Sequence, residues 1–160
     1  MAAKYQYGET NPISAPVATA TGVAIGDILG YDTATNYVVK ASSTTWDTNL
    51  ATTQTNFAAY FLGLSGQKKV ATEARVFGNS TDNIVRVDCS GVFVFDCAAA
   101  TLELGDFVGP AKDSGNALLD QTVAKVATVG LAIGRVCENT AASATSVKVQ
   151  LLSTLNAVSK

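Results

Sequence analysis

The stretch at residues 84–110, IVRVDCSGVFVFDCAAATLELGDFVGP, limits what this chain can fold into more than any other. Val85, Val87 and Cys89 alternate with Arg86, Asp88 and Ser90, the period-two pattern of a half-buried strand. Gly91 interrupts that pattern, and a glycine there predicts a bulge or bend that re-aims the next strand. Val92, Phe93, Val94 and Phe95 are then apolar on both faces. A strand of that kind must be covered on both sides, by the domain's own second sheet or by another subunit.

Thr, Val and Gly dominate elsewhere, so the chain reads as all-β, a compact barrel or sandwich-like domain. Helix signals are thin: Ala98-Ala99-Ala100 followed by Thr101-Leu102-Glu103 supports a single turn at most. Residues 28–39 read as a hairpin through the Asp32 to Asn36 turn, and Asp113-Ser114-Gly115-Asn116 marks a second one. Residues 57–64 read as a strand. Residues 70–77 alternate loosely before the turn cluster at 78–83, and Asn79-Ser80-Thr81 matches a glycosylation acceptor only by composition. Residues 123–129 continue the sheet, and 130–137 with 147–155 close it.

The order of these segments repeats. A Gly-Asp pair, a hairpin, a Gly-Leu strand and an outgoing strand occur at 26–27, 28–39, 63–66 and 84–95, then at 105–106, 107–119, 130–134 and 147–155. Two related lobes, at about 23–97 and 102–155, sharing one core within a single domain at 23–160 are implied by that order. Gly26-Asp27-Ile28-Leu29-Gly30, Gly105-Asp106-Phe107-Val108-Gly109, Gly63-Leu64-Ser65-Gly66 and Gly130-Leu131-Ala132-Ile133-Gly134, with VDCSGVFVFD between them, carry a resemblance as well. Over most of residues 17–155 the chain resembles the small all-β decoration, or cement, proteins of tailed-phage capsids, including a family of unknown-function domains from phage head gene clusters. The resemblance implies a structural protein made in the host cytoplasm and placed on the outer capsid surface. It also implies two partners, the major capsid protein and further copies of itself, commonly as a homotrimer.

Residues 1–22 read as an extended N-terminal arm, because Pro12 and Pro16 keep a segment out of central strands. Tyr5 and Tyr7, at period two, give it one face that can order on a capsid subunit or a neighbouring copy; the plainer alternative is a disordered tail. Residues 42–56 form a polar stretch too long for an ordinary connection and read as a functional or mobile loop. It holds Trp46, either a plug at a core edge or an anchor at an interface. The contact candidates are therefore Tyr5, Tyr7, Pro12, Pro16, Trp46, Val92, Phe93, Val94 and Phe95.

Composition limits the chemistry. Of 160 residues, 48% are hydrophobic and only 15% charged, against about 25% charged in an average globular domain. A surface so sparsely charged is poorly defended against association and suits a protein that works inside an assembly. A net charge of −2 with Lys68-Lys69 as the one basic pair argues against nucleic acid and against an anionic membrane surface. No window approaches the roughly 18 apolar residues of a membrane span, and the N-terminus lacks the apolar segment of a signal peptide.

The sequence contains no histidine, so neither a Ser-His nor a Cys-His pair can form, and no CxxC spacing provides a zinc site. Cys89, Cys97 and Cys137 read as buried free thiols, with a Cys89 to Cys97 bridge as the alternative. Asp96, Glu103 and Asp106 are the one carboxylate group that could be asked to act as acid and base. Asp27 and Asp106, however, each come after a glycine where a short carboxylate caps turn amides. The expectation is no enzyme, no cofactor and no metal. The alternative to a decoration protein is a receptor- or carbohydrate-binding module, although no sugar-stacking aromatic platform stands out.

Overall fold

The computed structural model describes residues 3–73 and 83–155. The fold is all-β apart from one helix. Its strands are β1 (Lys4–Tyr7), β2 (Ile13–Val17), β3 (Ile28–Asp32), β4 (Tyr37–Lys40), β5 (Phe61–Ser65), β6 (Asn83–Asp88), β7 (Val92–Cys97), β8 (Phe107–Lys112), β9 (Leu118–Lys125), β10 (Gly134–Val136) and β11 (Ser146–Leu151), with α1 (Leu50–Ala58) between β4 and β5.

The strands form two rings. The first is a closed barrel in the order β2-β4-β3-β5-β6. The second sheet runs β1-β7-β11-β10-β8-β9, and a further pairing of β9 with β7 closes β7 to β11 into a ring of its own. Taken by chain order within each ring, the neighbours are the same: first with third, third with second, second with fourth, fourth with fifth, fifth with first. The first–third contact is parallel in both rings and the others are antiparallel.

The likeness extends to register. Leu29 faces Gly63 and Lys40, as Val108 faces Gly134 and Lys125. Val87 faces Ile13 and Ser65, as Val149 faces Phe93 and Val136. Val17 faces Val38, as Cys97 faces Val123. The barrels bury matching positions: Val17, Leu29, Val38, Val85 and Val87 in one, Cys97, Val108, Val123, Val147 and Val149 in the other.

The two Gly-Asp turns match bond for bond. Gly26 and Gly105 have φ of 86° and 90°, which glycine adopts without a Cβ penalty. Asp27 Oδ2 accepts from Ala24 N–H at 2.8 Å, and Asp106 Oδ2 from Glu103 N–H at 2.9 Å. Gly26 and Asp27 exchange backbone bonds with Ser65, as Gly105 and Asp106 do with Val136.

Several expectations change. Among the described residues of the expected 1–22 arm, those from 3 to 17 form no free arm: β1 pairs with β7, and β2 is a barrel strand that buries Ala15 and Val17. Pro16 lies within the β2–β6 ladder, and the phase of that ladder explains how. Arg86 directs its N–H to Gln67 Oε1 and its carbonyl to Gly66 N–H, away from β2. Ser14, opposite Arg86, and Pro16, opposite Ile84, therefore occupy non-bonded positions, where a missing N–H removes no ladder bond. The lobe boundaries move by one strand. β7 opens the second ring rather than ending the first, so the barrels span 13–88 and 92–151.

Residues 42–56 are not a structureless loop. Asn49 caps α1 by accepting from Thr52 N–H at 2.9 Å, and the helix buries Thr53, Gln54, Phe57 and Ala58. The strand expected from residue 57 therefore begins at Phe61, and residues 98–103 form no helix. None of the three cysteines is in a disulfide, and Cys137 is half-buried rather than buried. The Asn79-Ser80-Thr81 match and residues 74–77 of the expected 70–77 strand lie outside the described residues, and residues 70–73 form no strand. In Val92 to Phe95, Val92, Phe93 and Phe95 are buried by the chain itself and Val94 is half-buried, so this run offers no open interface.

Lys69 breaks the pattern of a solvated basic pair. Its side chain is buried, and Nζ donates to the carbonyls of Thr19, Thr21 and Val70 at 2.8, 3.1 and 3.3 Å. This ammonium ties the 18–22 turn to the segment after β5.

The barrels pack side by side through both apolar and polar contacts. Ile28 and Leu64, a cross-strand pair on β3 and β5, belong to the hydrophobic cluster of the second barrel rather than that of their own. Leu118 of β9 joins them. Asp120 accepts from Ser42 N–H at 2.7 Å and pairs with Lys40 at 3.3 Å, while Gln121 Nε2 donates to Asp27 Oδ1 at 2.7 Å.

Candidate interaction groove

β1 crosses from the second sheet towards the first barrel, and the space beside it is an open groove of about 690 Å³. Tyr5, Pro12, Ile25, Arg86, Asp88 and Phe93 are among its lining residues. The Tyr5 ring meets Phe93 edge to face, with centroids 5.7 Å apart and planes at 70°, and its hydroxyl donates to the Gly8 carbonyl at 2.7 Å. That bond fixes the ring, yet half its surface stays open: Tyr5 is 50% exposed and Ile25, at the tip of the Gly26 turn, 55%. On the opposite wall Arg86 Nε pairs with Asp88 Oδ1 at 2.9 Å. The groove thus offers two anchored apolar side chains beside an ion pair, a mixture suited to contact with a protein surface.

The ladder adds a backbone element. Gly91, Phe93 and Phe95 bond towards β11, as the Leu151 N–H to Gly91 carbonyl and Cys97 N–H to Thr145 carbonyl bonds show, so Val92 and Val94 turn towards β1. Tyr5, opposite Phe93, then points its own N–H away from β7.

Of the candidate contact residues, the fold brings Tyr5, Pro12 and Phe93 to this groove. Tyr7 is exposed further along β1. Val92, Val94, Phe95 and Pro16 are held in ladders. Trp46 is half-buried on the segment before α1, with Lys112 Nζ 5.3 Å from its ring centroid. Ile25 does not stand out in the sequence; its place at the tip of a Gly-Asp turn is the signal that could have found it.

A second, smaller groove of about 220 Å³ gathers Tyr31, Phe57 and Tyr60 with Asp32 and Asn56. Its directional groups serve the β3–β4 turn. Asp32 accepts from Ala34 N–H and Thr35 Oγ1, the bonds that hold its carboxyl below the usual range, and Tyr31 donates to Asn36 Oδ1.

Activated groups are scarce among the described residues. Burial pushes the Cys89 thiol up to about 11, with the Asp88 carboxylate adding to it, and burial likewise raises Cys97 and Cys137. A thiol so raised is protonated at neutral pH and is a poor nucleophile. Asp106 is held below the usual carboxylate range, first by the Glu103 N–H and then by Lys125, 2.6 Å away. Among the described residues no three His, Cys, Asp or Glu side chains are grouped as metal ligands would be, and no helix is long and apolar enough to cross a membrane. No family model and no curated protein matches the chain.

Proposed function

We propose that this chain is a capsid decoration protein, which adds to the outer surface of a phage head and stabilises the shell by protein–protein contact. The observation that carries the proposal is the groove in which Tyr5 and Ile25 stand half-exposed on rigid supports, one fixed on Phe93 and the other on a bonded Gly-Asp turn. Exposing two such side chains is unfavourable unless something covers them, and their supports mean that little freedom is lost when it does. The low charge and the resemblance of the Gly-Asp and Gly-Leu segments to decoration proteins support the same reading. The partner is the major capsid protein, met on the shell surface.

The test uses heads of the encoding phage stripped of this protein and the full chain added back. Tyr5→Ser and Ile25→Ser together should cut occupancy after sedimentation on the order of 100-fold at limiting concentration, since two exposed anchors account for about 3 kcal/mol. Melting of the isolated chain should change little. Equal occupancy for variant and native chains would exclude the groove as the contact.

A further inference from the structure

The expected self-association surface, Val92 to Phe95, is used up inside the chain. The internal repeat points to another. In the first barrel the cross-strand pair Ile28 and Leu64 is fully buried and packs with the second barrel's core. The same ladder position in the second barrel is the pair Phe107 and Arg135. There no further barrel packs. Phe107 is half-buried with the Arg135 guanidinium over its ring, 4.3 Å from the centroid, and Arg135 is itself exposed. Beside them Leu104, at the tip of the second Gly-Asp turn, is 68% exposed, the most open large apolar side chain among the described residues.

We propose that this face of the second barrel, formed by Leu104, Phe107 and Arg135, is where a second copy of the chain docks. The fold already uses the equivalent face of its first barrel to hold a barrel, so a face of this backbone geometry can pack closely against another. The chemistry has shifted from a core pair to an aromatic, an arginine and an exposed leucine, as expected of a contact that must also survive in water. Charge does not oppose two copies meeting: Arg135 and Lys125 are balanced by Glu103 and Asp106, so like patches bring no net repulsion. This contact rests on the decoration reading and deepens it, placing the meeting of copies on the second barrel, apart from the shell-facing groove.

Light scattering of the full chain in solution, without capsids, tests it separately from the function proposal. The native chain should give a molar mass that is a multiple of 16.5 kDa at micromolar concentration. Leu104→Glu and Arg135→Glu should each weaken assembly on the order of 100-fold, because a carboxylate is then buried against its own copy. Val70→Glu, the same change at an exposed apolar side chain away from this face, should leave the mass unaltered, and circular dichroism should show all three variants folded. A native chain that stays at the monomer mass, or Leu104 and Arg135 variants that assemble as the native chain does, would overturn the proposal. Capsid occupancy is read in neither arm, so failure here leaves the groove untouched.

Discussion

At the scale of single residues, Lys69 shows how far local composition can mislead. Lys68-Lys69 looks like a solvated basic pair, but Lys69 runs inward and its ammonium satisfies three carbonyls. Only the long-range approach of residues 19–21 creates that cage, and no periodicity announces it. Replacing Lys69 by Met keeps most of the stem but removes the donors to all three carbonyls. A loss of about 3 kcal/mol in denaturant unfolding is expected, and near-native stability would refute the assignment.

Cys89 gives a prediction in pH. Its folded value, about 11, lies above the ordinary thiol value of about 8.5. A raised folded value means that the stabilising contribution is complete below the unfolded value and is lost as pH rises through the folded one. Stability should therefore fall between about pH 8.5 and 11. Cys89→Ala should flatten that slope whatever it does to absolute stability. Parallel slopes for native and variant chains would contradict the role given to burial.

At the scale of elements, the hairpins were legible and the helix and first barrel strand were not. Asp32, Thr35 and Asn36 form the β3–β4 turn through bonds local to the turn itself, which is why composition sufficed. α1 carries Thr52, Thr53 and Thr55, weak helix formers, and depends on burying Phe57 and Ala58 against the rest of the fold. Asn49 three residues ahead of Thr52 was the one local sign. β2 was hidden by its prolines, because whether a proline breaks a strand depends on ladder phase, which only its partner β6 reveals.

The barrels also treat one edge differently. In the second, β1 pairs at Val92 and Val94; at the matching positions of β2 the first has Pro12 and Ser14, and Pro12 cannot donate to an added strand. Two truncations separate these roles. Removing residues 2–8 takes only β1 and should leave a folded chain that melts lower, with Phe93 uncovered. Removing 2–16 also takes most of β2 and should abolish cooperative unfolding. A 2–16 truncation that melts like the full chain would restore the free-arm view.

At the scale of the molecule, the repeat was legible because Gly-Asp marks the same turn in both barrels; the Gly-Leu match was misplaced, since the register equivalent of Gly63 is Gly134, not Gly130. The boundary of the repeat was not legible, since β7 continues the apolar pattern of β6 through a single bend at Gly91. The groove was half legible. Tyr5 and Pro12 stood out locally, but their meeting with Ile25 and Arg86 depends on β1 leaving one barrel to lie beside the other. We propose that the surface of these two fused barrels is the working part of the molecule.

That surface is proposed to meet a capsid, and electron cryomicroscopy of phage heads with and without this protein tests the meeting most directly. Heads carrying it should show added density on the outer surface that fits two barrels, with the groove beside β1 against the shell. Heads of identical outer density with and without the chain would contradict the decoration reading.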